Sequence, residues 1–325
     1  MLKNKTIFTM SMLAAAIALS ACQPKPTEPK QDQAAAFEAV QAEGLKLVGD
    51  VEKLTLDLPE CDGNNCPEIS IERLFSNQAF IDDIIDQQIL KQLDQILEIS
   101  PKLQKENQQA TVAVSSKDSK AQVQAAEQSA SLAVETPKQK MEQQVVPYLA
   151  NFLALDKELK ALSANHQISL MIKPKILNAD LPLATVVLNS SSYLGGAHGS
   201  SSQRYYNFDL EKKKQVVLND ILGPNQKAAL EKKAHEIFKN WVIESKLANN
   251  IEEYEQAWKF TLSDNFYLST QGLILQYGEY EIGPYVVGLP RLTIPYDQLQ
   301  TVLKKQYLPP VEAPASAAME NKVQS

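Results

Sequence analysis

Apolar residues along this chain change their spacing several times, and each change predicts an element. Across 45–58, Val51, Lys53 and Thr55 alternate with Leu54, Leu56 and Leu58, the period of a strand with one buried face. Glu68–Leu74 alternates again, so the two runs predict a hairpin around Cys61–Cys66. From 77 to 98 the period lengthens. Ile81, Ile85, Ile89, Leu93 and Ile96 recur every three or four residues, with Asp82, Asp83, Asp86 and Lys91 elsewhere. This predicts an amphipathic helix capped by Ser76 or Asn77. The pattern then stops. Residues 101–140 are rich in Gln, Ala, Ser and Lys, and predict a flexible insertion or a solvated helix without core contacts across 105–137. Helical spacing returns over 141–163 (Val145, Leu149, Phe152, Leu153, Leu159, Leu162), with Pro147 expected to break or start that helix.

Strand patterns dominate after 167. Runs at 167–177, 183–192, 204–210 and 216–218 precede a helix over about 226–248, striped by Leu230, Ala234, Ile237, Phe238, Trp241 and Val242. A hairpin follows, with strands over 265–270 and 273–277 and Gln271-Gly272 at the turn. Segments 279–285 and 291–296 and a short helix over 296–304 complete the pattern. These elements make an α+β fold: a mainly antiparallel sheet with helices packed on one side.

Composition narrows the function. The chain has 325 residues, 44% of them hydrophobic, and a formal charge of −7. No basic stripe breaks the acidic balance, so nucleic acid is not expected as a partner. The N-terminus carries Lys3 and Lys5, an apolar run from Ile7 to Leu19 too short to span a bilayer comfortably, and then Leu19-Ser20-Ala21-Cys22. Those residues resemble the lipobox of bacterial lipoproteins. The resemblance implies a signal peptide over 1–21, acylation of Cys22 (palmitate-type chains) and a membrane anchor; two or three acyl chains hold stably. Residue 23 is Gln, not the Asp that commonly signals inner-membrane retention in Gram-negative lipoproteins. The implied location is the outer membrane, facing the periplasm or the cell surface. Residues 22–44 then serve as a flexible tether, and 309–325 as a disordered tail. Cys61 and Cys66 remain. In an oxidising compartment they are expected to form a disulfide; a metal site would need a second ligand pair.

The motifs Tyr193-Leu194-Gly195-Gly196-Ala197-His198-Gly199, Asn207-Phe208-Asp209-Leu210 and Leu218-x-Asp220-Ile221-Leu222 stand in order. They are followed by Asn265-Phe266, Gly272-Leu273, Tyr280-Glu281-Ile282-Gly283-Pro284-Tyr285-Val286-Val287-Gly288 and Thr293-Ile294-Pro295-Tyr296. Together they resemble the RsiV-type domain of unknown function. The resemblance implies a domain over 167–308, preceded over 45–166 by the companion region that also occurs in the PdaC polysaccharide deacetylase. The RsiV extracytoplasmic domain binds lysozyme, so the resemblance implies a lysozyme-like protein or a cell-wall component such as peptidoglycan as partner. The metal-dependent deacetylase domain of PdaC has no counterpart here, and neither a metal nor a cofactor is expected.

The candidate binding residues are Tyr193, Gly195, Gly196, His198, Gly199, Tyr280, Gly283 and Tyr285. Tyrosine offers amphipathic contact area, glycine admits close packing, and an acidic chain attracts a basic partner. His198 lies among Ser191, Ser192, Ser200, Ser201 and Ser202, with Asp209 following, so a cell-wall hydrolase is the catalytic alternative. No nucleophile-elbow pattern accompanies them, and the expectation is a non-enzymatic protein. A structural envelope lipoprotein without a ligand is the third alternative.

Overall fold

The computed structural model describes residues 45–61, 63, 65–97, 135–162, 167–180 and 182–309. The signal peptide, Cys22, the tether, His166, all of the C-terminal tail except Pro309 and most of the 101–140 insertion lie outside them. Leu45 opens a compact unit that holds every described element. The fold is α+β, as expected, and the described residues form nine strands in two sheets.

The first sheet runs β1 (Gly49–Lys53), β2 (Glu68–Ser76), β3 (Ser169–Asn178), β4 (Ala184–Tyr193), β5 (Ser200–Asp209) and β6 (Lys214–Val216), in that spatial order. All neighbours are antiparallel except β2 and β3, which are parallel. The chain between that pair therefore makes a crossover, which contains α1 (Ala79–Ile96) and α2 (Pro137–Ala161). The sheet takes strands from both sides of the boundary expected at 166/167. Its core is mostly aliphatic: Ile71, Ile81, Ile85, Ile89, Leu93, Val145, Ile172 and Val186 pack with Phe152 and Phe208. Cys61 and Cys66 close the β1–β2 loop as a disulfide.

Several details of this half depart from the sequence pattern. β1 ends at Lys53, and beyond it only Leu54 still donates to β2, through Ile71 O at 2.9 Å. The N-cap of α1 is Gln78, not Ser76 or Asn77. Ser76 instead donates its N–H and Oγ–H to the Asp82 carboxylate at 2.9 and 2.7 Å, and Asn77 accepts from Val48 N–H. Asp82 is consequently buried, although it falls outside the apolar stripe. Asp86 leaves solvent for a different reason. Arg73 follows Ile69 and Ile71 onto the inner face of β2 and is 1% exposed. Its guanidinium bonds both Asp86 oxygens at 2.8–3.2 Å and Glu52 at 2.5 Å. Finally, α2 starts before 141, so residues 137–140 belong to a helix and not to the insertion. Thr136 and Gln139 form a reciprocal capping box with Pro137 in the first turn. Pro147 lies inside the helix without ending it. The residue whose carbonyl it frees, Gln143, is exposed. Leu162, expected on the apolar face, is 78% exposed.

The second sheet is β7 (Phe266–Leu268), β8 (Gly272–Gln276) and β9 (Arg291–Pro295), all antiparallel. Around it lie α3 (Leu218–Ile221), α4 (Lys227–Glu244), α5 (Ile251–Ala257) and α6 (Tyr296–Leu299). Its core is rich in rings: Phe238, Tyr254, Phe260, Phe266, Tyr277 and Tyr307 join Leu230, Ile282 and Ile294. Neutral amides join the two sheets. The Asn265 side chain accepts Tyr205 N–H at 2.8 Å and donates to Gln203 O at 2.7 Å, so it supplies β5 with the hydrogen bonds of a further strand. Asn207 reaches back to Phe266 O at 2.8 Å. No described helix is long and apolar enough to cross a membrane.

Candidate functional site

Two loops far apart in sequence meet at one end of the first sheet. The first is the β4–β5 connection, residues 194–199. Ser192 pairs with Ser200, so the loop leaves the hairpin at a closed end. The second is the turn that runs from Gly278 to Gly288 between β8 and β9. Glu279 joins them: its carboxylate accepts Ser201 N–H at 2.9 Å and Ser200 Oγ–H at 3.1 Å.

His198 is the centre of the contact. Its ring stacks on Tyr285 with centroids 4.0 Å apart. Nδ1 lies 2.9 Å from Gly199 O, and a carbonyl only accepts, so Nδ1 carries the hydrogen. Nε2 is then the acceptor for the Tyr280 hydroxyl at 2.9 Å. The Tyr285 hydroxyl donates to the same Gly199 carbonyl at 3.1 Å. Tyr280 and Tyr285 stack at 5.7 Å, and Trp258 extends the row beyond Tyr280 at 6.4 Å. The rings stay open to solvent: Tyr280 is 50% exposed, Tyr285 37%, and neighbouring Val286 86%. The result is a partly exposed row of stacked rings fixed by hydrogen bonds.

Backbone conformation sets the platform. Gly195 has φ +86°, and a Cβ there would stand 2.8 Å from Leu159 Cδ1. A side chain at this left-handed position would be strained and would have to displace the Leu159 methyls of α2. Gly283 is packed for another reason, since a Cβ would meet the Tyr254 hydroxyl at 2.8 Å. That hydroxyl donates to Ile282 O. Tyr280 is a bulky residue at φ +61°, in the left-handed region.

Of the eight sequence candidates, His198, Gly199, Tyr280 and Tyr285 make the direct contacts, and Gly195 and Gly283 admit the close packing. Gly196 shapes the loop without close packing, as a Cβ there would meet only His198 O at 3.8 Å. Tyr193 ends β4 opposite Ser169. Trp258 and Glu279 belong to the site but were not singled out from the sequence. Trp258 follows α5, a helix whose capping signal, Asn250 accepting Glu253 N–H, passes unnoticed in a charged stretch.

The arrangement lacks the contacts of a hydrolytic triad. Both His198 nitrogens are engaged, and among the described residues no serine hydroxyl or carboxylate bonds to them. Ser190 and Ser202 bond one another at 2.8 Å. His235 pairs with Glu255 at 2.8 Å and stacks on Phe260, away from any serine contact. No group of three His, Cys, Asp or Glu side chains among the described residues is placed to hold a metal ion.

Residues 219–297 match the family model described as "Protein of unknown function (DUF3298)". The match lies within the 167–308 region and includes Tyr280 and Tyr285 but not His198. No curated protein matches the chain. Among solved structures, a DUF3298 family protein from Pseudomonas aeruginosa PAO1 is similar over 81% of this chain and 95% of its own, at 23% identity and a TM-score of 0.54. A member of the family from Bacteroides fragilis NCTC 9343 is similar over 81% of this chain and 94% of its own, at 16% identity and a TM-score of 0.51. The likeness in fold therefore extends well beyond the matched stretch.

Proposed function

We propose that this protein is a lipid-anchored envelope protein that binds, without catalysis, a basic lysozyme-like protein through the His198–Tyr280–Tyr285 platform. One observation carries the reading: two loops more than eighty residues apart build an exposed, hydrogen-bonded row of rings. Rigid aromatic groups of this kind concentrate binding energy at protein interfaces, and Val286 adds an apolar edge. The negative charge of the chain favours a basic partner. The leader and Cys22 support an anchor in the outer membrane, and the Cys61–Cys66 disulfide suits an oxidising compartment. The engagement of both His198 nitrogens favours binding over hydrolysis.

The test is retention of a c-type lysozyme, and separately of sonicated peptidoglycan, by immobilised chain beginning at Gln23. Lysozyme should be retained, and His198→Ala and Tyr285→Ala should each weaken it by about tenfold or more. Retention of peptidoglycan alone would move the assignment to the wall polymer. Retention of neither would overturn it.

A further inference from the structure

We propose that the cleft between α1 and the β5–β6 edge is a second ligand site, for a small hydroxylated carboxylate such as an acidic sugar. This inference does not depend on the platform. The cleft encloses about 280 Å³. That is near the lower end of small-molecule sites, and suits one ring better than a polymer.

One wall is a single face of α1. Gln88, Lys91, Gln92 and Gln95 stand at the three- and four-residue spacing that stacks side chains along a helix. The opposite wall brings Arg204 and Gln215. Each glutamine offers a donor pair and an acceptor, the complement of sugar hydroxyls. Most of this capacity is unspent: among the described residues, the side chains of Lys91, Gln92, Gln95 and Gln215 make no hydrogen bond or ion pair. Gln88 accepts from the Tyr206 hydroxyl at 3.2 Å. Burial pushes that phenol up to about 12, so it stays neutral and its hydrogen stays on Gln88.

Charge selects the acidic member of the class. Two cations, Lys91 and Arg204, face a single acid, Asp264. Arg204 reaches it only at 4.0 Å, and the Asp264 side chain is 91% exposed. The cleft is thus locally positive on a chain whose formal charge is −7. Arginine suits a carboxylate, which it binds through two parallel N–H groups.

N-acetylmuramic acid and N-acetylglucosamine differ only by a lactyl ether that carries a carboxylate, and they are the probes of choice. Titration calorimetry on the chain beginning at Gln23 should show the first sugar binding about tenfold more tightly than the second. Arg204→Gln should reduce the first to the level of the second, with an unchanged far-ultraviolet spectrum. Lys232→Gln, on the exposed side of α4, should leave both unchanged. Equal affinity for the two sugars, no binding of either, or insensitivity to Arg204→Gln would each overturn the proposal.

Discussion

The two halves of the molecule bury different chemistry. The first core is aliphatic, and the elements around it bury ionisable groups: Arg73 and Asp209 on strands, Asp82 and Asp156 on helices. The second core is ringed, and its buried polar residues (Ser263, Asn265, Gln276) are neutral. In the first half, charge fixes how a helix sits on a sheet, since Arg73 ties α1 to β1 and β2 through Asp86 and Glu52. In the second, shape does that work. Phe238 on α4 lies 5.4–6.0 Å from the rings of Trp241, Tyr254 and Phe260. A charge network fixes register at the cost of desolvation, whereas packed rings stabilise but specify less sharply.

The largest tests of this contrast remove one group from each core. Arg73→Ala leaves the partly buried carboxylates of Asp86 and Glu52 without their partner and should cost about 3 kcal/mol. Phe238→Ala opens a cavity in the second and should cost a similar amount, about 3–5 kcal/mol. The chain has two tryptophans, Trp241 and Trp258, and both pack against the second core. Fluorescence therefore reports one half and circular dichroism both. Coincident urea transitions in each variant would show that the cores melt together; separated transitions for Arg73→Ala would show that they do not.

Asn265→Ala is the intermediate case, because it removes the amide that joins the halves. It leaves Tyr205 N–H and Gln203 C=O unpaired and should cost about 1–3 kcal/mol. If the seam couples the cores, this variant should also split transitions that coincide in the parent.

The smallest expected effect is a pH dependence confined to the first half. Burial raises the Asp82 carboxyl above its ordinary value, and the hydrogen bonds from Ser76 offset this only in part. The folded chain therefore holds a proton that the unfolded chain has released. The resulting stability is fully present below the ordinary carboxylate value of about 3.9 and is lost as pH rises through the raised one. Asp82→Asn cannot ionise. Its stability relative to the parent should improve between about pH 4 and neutrality, read from urea midpoints. A constant difference would show that Asp82 contributes nothing to the pH profile.

Much of this architecture was legible in the spacing of apolar residues. The β1–β2 and β7–β8 hairpins, the stripe on α4 and the hairpin that carries His198 all follow from period alone. The parallel β2–β3 pair was not legible, since pairing across a crossover leaves no local mark. Nor were the buried charges, because period identifies the inner face of β2 at Arg73 but not the acids that make it tolerable there. α2 was read too short although Thr136-Pro137-Lys138-Gln139 carries a capping signal, which was obscured by the polar composition around it. For the site, the glycines and tyrosines pointed to both loops. That the loops meet is a tertiary fact, fixed by Glu279 and by the hairpin register.

Tyr280 has a further consequence. At φ +61° a tyrosine occupies backbone space that glycine takes at no steric cost. Left-handed geometry at a non-glycine residue costs about 1–2 kcal/mol, and a glycine here would return part of that through the greater freedom of the unfolded chain. Tyr280→Gly relieves that strain but gives up the hydrogen bond to His198 and the stacking on Tyr285, so its melting temperature should shift little, while the lysozyme retention proposed above should fall. At Tyr280 the backbone thus gives up ease to hold a phenol against His198.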